Sequence, residues 1–350
     1  MKHLAPVCFR AFACAGGACP ESCCRAGWEI VPDPETLRRY ETLPGPEGDR
    51  IRAGILPGPE PLLRQDGERV CVLLDPDGLC CVQRRFGHEA LCRVCRDYPR
   101  FRRDFGGLTE HGLSLSCPTA YALATAAPPA WEEWEDDAPP VPNELDPARY
   151  LRLRKGRTLA LELLARETLP LQTRLLLLRR LAAALQNAPE QRVRHDYALR
   201  LRRWEHLPQR AGRPWSLSHR HWSRLARRFL ALEILSPAWA DALERFAALA
   251  EADKLPAGLL QPADPEPYAR WLWYALYKYW MDALDDGDLT GRVERSLEML
   301  LLGMAMDRAL PGEGPFLRRI SREIEHCEEN LAALLRRSPC TSEHASKRKE

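Results

Sequence analysis

The stretch Cys14-AGGA-Cys19-PES-Cys23-Cys24-RAGW, residues 14–28, decides how this chain is to be read. Four thiols in so short a run, wrapped round a Gly16-Gly17 pair, suit a loop that folds closely about a soft metal centre. More cysteines follow as Cys71-VLLDPDGL-Cys80-Cys81, then Cys92-RV-Cys95, then Cys117-Pro118. Eleven of the 13 cysteines lie in the first 117 residues; Cys327 and Cys340 stand apart. In a reducing compartment such density favours metal ligation or redox chemistry over disulfides. Paired CxxC knuckles at zinc-ribbon spacing are absent, and CxxxCxxC fails because Cys24 follows Cys23 directly. Spacing alone leaves zinc and an iron–sulfur cluster both open. Cys8, Cys81, Cys327 and Cys340 read as structural thiols.

Outward from the cysteines the texture changes. The 350 residues are 45% hydrophobic and 29% charged with a net charge of +2, a globular balance without bias toward nucleic acid or membrane. No apolar run reaches membrane length, and the first residues lack a signal-peptide core, so a cytoplasmic protein is expected. Residues 1–125 are expected to form a cysteine-rich metal module, and 126–147, proline-rich and acidic, a connector or surface loop. Residues 148–338 carry leucine and alanine at helical spacing. Helices are expected over Tyr150–Glu167, Leu171–Leu185, His219–Leu235, Pro237–Ala252, Tyr268–Leu284, Arg292–Leu310 and Phe316–Arg337. Residues 339–350 read as a flexible tail. The expected fold is mainly α, with the metal module packed on an α-helical bundle.

CAGGACPESCCRAGWEIVPDPETLRRY, CVLLDPDGLC, CRDYPR and LSLSCPTAYAL resemble, in order and spacing, the flagellin lysine-N-methylase family. RYLRLRKGRTLALELLARETLPLQTRLLLLRRLAAAL and SREIEHCEENLAALL resemble its first long helical pair and its terminal helix. The motif positions fall on Cys14, Cys19, Cys23, Cys24, Trp28, Cys71, Cys80, Cys95, Tyr98, Pro99, Arg100, Cys117, Pro118, Glu325 and His326, with Cys8, Cys81 and Cys92 extra to the pattern. The resemblance implies methyl transfer from S-adenosylmethionine to lysine side chains of flagellin, with a 4Fe-4S cluster involved; the eight motif cysteines are the candidate metal ligands, and which of them ligate stays open. Zinc is the alternative metal. A non-enzymatic zinc- or iron-chelating protein is the alternative function, because such chelating domains share this cysteine layout.

Lysine methylation requires a neutral amine, whereas free lysine has a pKa near 10.4, so a base or a desolvating pocket is needed. Glu325, His326 and Asp285 are the candidate groups, Asp285 lying with Asp282, Asp286 and Asp288 beside the aromatic stretch Trp271–Trp280. Arg100 is a candidate for a cofactor carboxylate, or else pairs with Asp97 or Asp104. No GxGxG loop follows a strand, so a Rossmann-type cofactor site is not expected. The arginines of 192–228 alternate with leucine and tryptophan and read as solvated helix faces, without a nucleic-acid motif.

Overall fold

A computed structural model describes residues 1–186 and 217–335. The chain opens with β1 (Lys2–Pro6), which becomes an inner strand of a small sheet completed by β2 (Arg100–Asp104), β3 (Leu108–Leu113) and β4 (Trp131–Glu135) in the order β2-β3-β1-β4. β1 runs parallel to β3, with Lys2 opposite Leu108, and antiparallel to β4, with Lys2 opposite Glu135. β4 lies inside residues 126–147, expected as connector or loop. Its sequence WEEWE is short and acidic, yet Trp134 stacks on His3 and His111, with centroids 5.0 and 5.2 Å away. Cross-strand packing overrides a composition that discourages strands.

The cysteine-rich part folds round α1 (Pro34–Glu41), α2 (Gly45–Ala53), α3 (Cys81–Phe86) and α4 (Arg93–Asp97). Asp33 caps α1 by accepting the Thr36 N–H at 3.0 Å, and its other oxygen accepts the Arg93 N–H at 2.9 Å. One carboxylate therefore starts α1 and ties it to α4. Tyr40, Ile51, Leu63, Leu73, Val82 and Leu91 form a small separate core that includes the buried Cys81 and Cys92.

The rest is helical: α5 (Pro118–Ala126), α6 (Pro147–Leu164), α7 (Leu171–Gln186), α8 (His219–Leu230), α9 (Pro237–Glu251), α10 (Glu266–Tyr279), α11 (Leu289–Ala309), α12 (Phe316–Ile324) and α13 (Glu328–Leu335). Proline opens α5, α6 and α9 in the first turn, and Asp146, Ser218 and Asp288 cap α6, α8 and α11. The mainly α expectation agrees with this architecture. Phe12, Leu113, Leu115 and Ala120, although within residues 1–125, are buried in the large helical core. The aromatic stretch is core: Trp271 and Trp280 are 1% and 0% exposed, and Trp280 donates to the Leu153 carbonyl at 2.9 Å. A buried Arg157–Glu110 pair fastens β3 to α6. Among the described residues no helix is long and apolar enough to cross a membrane.

Several expected helices are shorter than their periodicity suggested, among them the one over Tyr268–Leu284, where α10 ends at Tyr279 and a 3-10 turn over Trp280–Asp282 follows. α8 stops at Leu230, and the single helix expected over Phe316–Arg337 is broken after Ile324. At the break the Cys327 thiol accepts the Asn330 N–H at 3.4 Å, and Asn330 donates to the carbonyls of Glu233 and Glu323. Satisfied backbone partners make the interruption a built feature. Most of 192–228, Cys340 and the tail 339–350 lie outside the described residues, as does Arg337.

A thiol-lined cleft between the two cores

Backbone contacts bring the cysteine segments together. The Cys71 N–H donates to the Cys24 carbonyl at 2.9 Å, and bridges join Gln65 to Cys71 and Leu74 to Cys80. The loop of 14–24 meets the turn of 75–79 backbone to backbone: a Cβ on Gly78, whose φ is +85°, would stand 2.9 Å from the Gly17 carbonyl oxygen. The glycines expected to let the loop wrap closely do so against this turn. Glu21, between Cys19 and Cys23, is gripped by Arg318 and Arg322 of α12, and Arg322 also donates to the Arg25 carbonyl at 2.6 Å.

The thiols feel one another. Cys23 is raised by its hydrogen bond with Cys24 and by burial, with Cys14 and Cys19 adding repulsion. Cys24 is lowered by the same bond, and Cys80 repels it. Cys80, Cys92 and Cys117 occupy the N-cap positions of α3, α4 and α5. A hydrogen bond from Cys81, helped by the N–H groups of Gln83 and Val82, lowers Cys80 to about 7. A bond from Cys95 lowers Cys92 and raises Cys95, which also lies in the field of Cys23 and Cys24. Burial pushes Cys71 up to about 12 and raises Cys117, which Cys19 and Cys14 repel. The eight expected ligands thus form one electrostatically linked neighbourhood, and Cys92 joins it. The donor chemistry suits a soft metal. Among the described residues, however, no three Cys, His, Asp or Glu side chains are placed so that they could hold a metal ion.

Four of these thiols, Cys23, Cys24, Cys71 and Cys95, line a cleft of about 1050 Å³ between the small and large cores. Trp28, Tyr98, Arg100, Lys278, Glu325 and His326 share its walls. The helix break presents Glu325 and His326 to it. Glu325 accepts from Lys278 Nζ at 2.7 Å and from Ser114 Oγ at 2.7 Å, and Lys278 holds this buried carboxyl below its ordinary range against the opposing effect of burial. His326 packs on Trp28 and Tyr98, with ring centroids 4.3 and 5.8 Å away, and its Nε2 meets Ser116 Oγ at 2.9 Å. Solvent reaches the ring from the cleft, but protein encloses most of it, and this desolvation lowers its pKa to about 4.

The candidates named from sequence separate cleanly. Glu325, His326 and Arg100 lie with the thiols; Asp285 does not, being exposed in the turn after α10. Its neighbours are occupied elsewhere, Asp282 with Arg103 at 2.8 Å, Asp286 with Arg292 at 2.9 Å, and Asp288 at the cap of α11. Arg100 pairs with neither Asp97 nor Asp104, which are taken by Arg96 and Arg102; its guanidinium lies 4.9 Å over the Phe12 ring. Cys327 stands within 3.5 Å of Glu233 and Glu329 and lines the same cleft from the helical side. Sequence reasoning missed Lys278, Ser114 and Ser116. The alternation of serines in LSLSC, just ahead of a cysteine, was the available signal for two of them.

Fold and cleft define a mainly helical protein that carries a cysteine-rich unit with its thiols turned toward a shared cleft. Over 118 aligned residues, 31% of this chain, it is 30% identical to the flagellar biosynthetic protein FliU of Salmonella muenchen, of which the match covers 67%. The chain belongs to the family of that protein. The lysine-N-methylases of Salmonella typhimurium and Salmonella choleraesuis are likewise 30% identical over 118 residues, but only 28% of each is covered. No family model and no solved structure matches the chain.

Proposed function

We propose that this protein transfers methyl groups from S-adenosylmethionine to lysine side chains of flagellin, and that its cysteine neighbourhood holds an iron–sulfur cluster. The observation that carries the reading is the meeting of four thiols, an aromatic pair and the Lys278–Glu325–His326 network in one cleft. The names of the relatives point to the flagellum and to lysine methylation. When bound, S-adenosylmethionine supplies an electrophilic methyl group. The chain's own residues do the rest. Trp28 and Tyr98 offer ring faces to a cationic side chain. Arg100, with no carboxylate partner among the described residues, is suited to an anionic group such as a cofactor carboxylate. The cleft walls desolvate the amine, which favours its neutral, nucleophilic form. Cys14, Cys19, Cys23, Cys24, Cys71, Cys80, Cys95 and Cys117 are the thiols proposed to hold the cluster.

A second reading, a non-enzymatic zinc- or iron-chelating protein, draws support from the exposure of Cys14, which leaves it open to exchange. One experiment separates the two. The protein is purified without oxygen, its iron, sulfide and zinc are counted, and labelled S-adenosylmethionine is supplied with flagellin. Label on flagellin lysines, lost in Cys23→Ala together with iron, supports the methyltransferase. Bound metal without any transfer overturns it in favour of chelation.

A further inference from the structure

The groups behind His326 form a hydrogen-bonded chain whose direction can be worked out. Ser114 Oγ lies 2.7 Å from Glu325 Oε2, 2.7 Å from Ser116 Oγ and 3.2 Å from His326 Nε2. Ser116 Oγ lies 2.9 Å from His326 Nε2 and 3.0 Å from the Tyr98 hydroxyl. An ionised carboxylate only accepts, so Ser114 gives its single proton to Glu325. The Ser114 oxygen is then left as an acceptor.

Two arrangements remain. If Nε2 carries the proton, it donates to Ser116, Ser116 donates to Ser114, and Tyr98 donates to Ser116; every hydroxyl and the ring N–H are used. If Nε2 is bare, Ser116 donates to it and the Ser114 oxygen keeps only the long bond from the Ser116 N–H, at 3.4 Å. The first arrangement makes one more hydrogen bond in a part-buried setting, where a hydroxyl pair left unbonded is costly. It leaves the Nδ1 lone pair without a proton. Nδ1 bonds no described residue, and the ring lines the cleft.

We propose that Glu325, Ser114 and Ser116 fix His326 as its Nε2–H tautomer, so that Nδ1 takes the proton from the substrate ammonium while the relay passes one to Glu325. The proposal rests on the methyltransferase reading. The step balances: an N–H bond of the ammonium breaks and one forms on Nδ1, the Nε2 proton passes to the serines, and a serine proton reaches Glu325. His326 ends neutral as the Nδ1–H form, Glu325 ends protonated, and the amine is free to attack the methyl group. In water the amine and a carboxyl differ by about six pKa units. Lys278 lowers the ammonium and Glu325 alike, whereas Arg100 across the cleft acidifies an incoming ammonium, and desolvation both acidifies it and raises Glu325, narrowing the gap. Ser114, Ser116 and Glu325 are positioning residues; of the four groups in the relay, His326 alone touches the substrate.

The test has two arms on the full chain. In ¹⁵N-histidine NMR, with His326 assigned from His326→Gln, the expected signal at pH 7 is the Nε2–H tautomer; Ser114→Ala shifts the tautomer ratio and Ser114→Thr restores it. An Nδ1–H tautomer in the unaltered protein overturns the proposal. In the transfer assay, Ser114→Ala lowers kcat about 100-fold with KM unchanged, recovers as pH rises, and is rescued by Ser114→Thr. An unchanged kcat in Ser114→Ala overturns the relay. The profile is read against the other groups facing His326, which are Glu325 and Lys278 beneath it, the Tyr98 phenol, Cys327 and Glu328 along the helical wall, and Arg100 across the cleft. Absence of transfer by the unaltered protein at every pH overturns the methyltransferase reading, and the tautomer signal still decides the arrangement of the relay by itself.

Discussion

One oxygen of Glu325 stands 2.7 Å from Lys278 Nζ and 2.7 Å from Ser114 Oγ, so a single carboxylate joins the end of α10 to the segment leaving β3. Both ends of the ion pair are sheltered, with side chains 12% and 4% exposed.

Removing one partner of such a pair strands the other charge. Lys278→Met is expected to cost about 3–5 kcal/mol in urea unfolding, and Lys278→Met combined with Glu325→Gln to recover part of it. The folded-state pKa of Glu325 is depressed, so its contribution is present above the ordinary carboxyl range and is lost as pH falls through the folded value. An additive double variant would show that the two charges do not interact.

His326 gives a separate acid dependence. Its folded pKa of about 4 lies below the ordinary 6.5, so the unfolded chain takes up a proton between these values while the folded one does not. Stability is therefore lost as pH falls from about 6.5 to 4 and no further below that. Unfolding midpoints of the unaltered protein and His326→Gln should converge across this window; parallel curves would refute the assignment.

Thiol reactivity should follow the hydrogen bonds each thiolate receives against its burial, since Cys80 is lowered by Cys81 and the first N–H groups of α3 while Cys117, also at an N-cap, is raised by burial. In the reduced, metal-free chain at neutral pH, iodoacetamide followed by peptide mass analysis is expected to label Cys80, at about 7, well ahead of Cys71, at about 12. Equal labelling would mean that the cap of α3 does not stabilise the thiolate.

The contact between the loop and the turn can be probed with alanine. Gly78→Ala meets the Gly17 carbonyl and forces the two segments apart, whereas Gly87, with φ +84°, has nothing within 4 Å of an added Cβ. Both variants carry backbone strain of about 1–3 kcal/mol. Only Gly78→Ala should also raise the labelling rate of Cys19 and Cys23.

The helical half was legible because leucine and alanine recur at 3.6-residue spacing and prolines mark the starts. The break after Ile324 was not, since SREIEHCEENLAALL keeps helical periodicity and only a tertiary partner, Asn330 reaching Glu233, shows why the helix stops. Glu325, His326 and Arg100 could be named as candidates from their motif positions, but Lys278 stood inside an aromatic stretch whose side chains pack as core. β4 was hidden by acidic composition, its strand form being dictated by His3 and His111 across the sheet. Asp285 lies apart from the thiol cleft, because residue type in a helix-end turn says nothing about which way the turn faces.

The place of β1 within the sheet sets an order of events during synthesis. β1 pairs with β3 and β4, so the sheet closes only once Glu135 has left the ribosome, on the order of ten seconds after Lys2 has been joined. The thiols from Cys14 to Cys95 emerge during that interval. Lys278, Glu325 and His326, which complete the cleft walls, are made later still, so the sulfurs stay open to solvent and to one another until the end of the chain folds back on them.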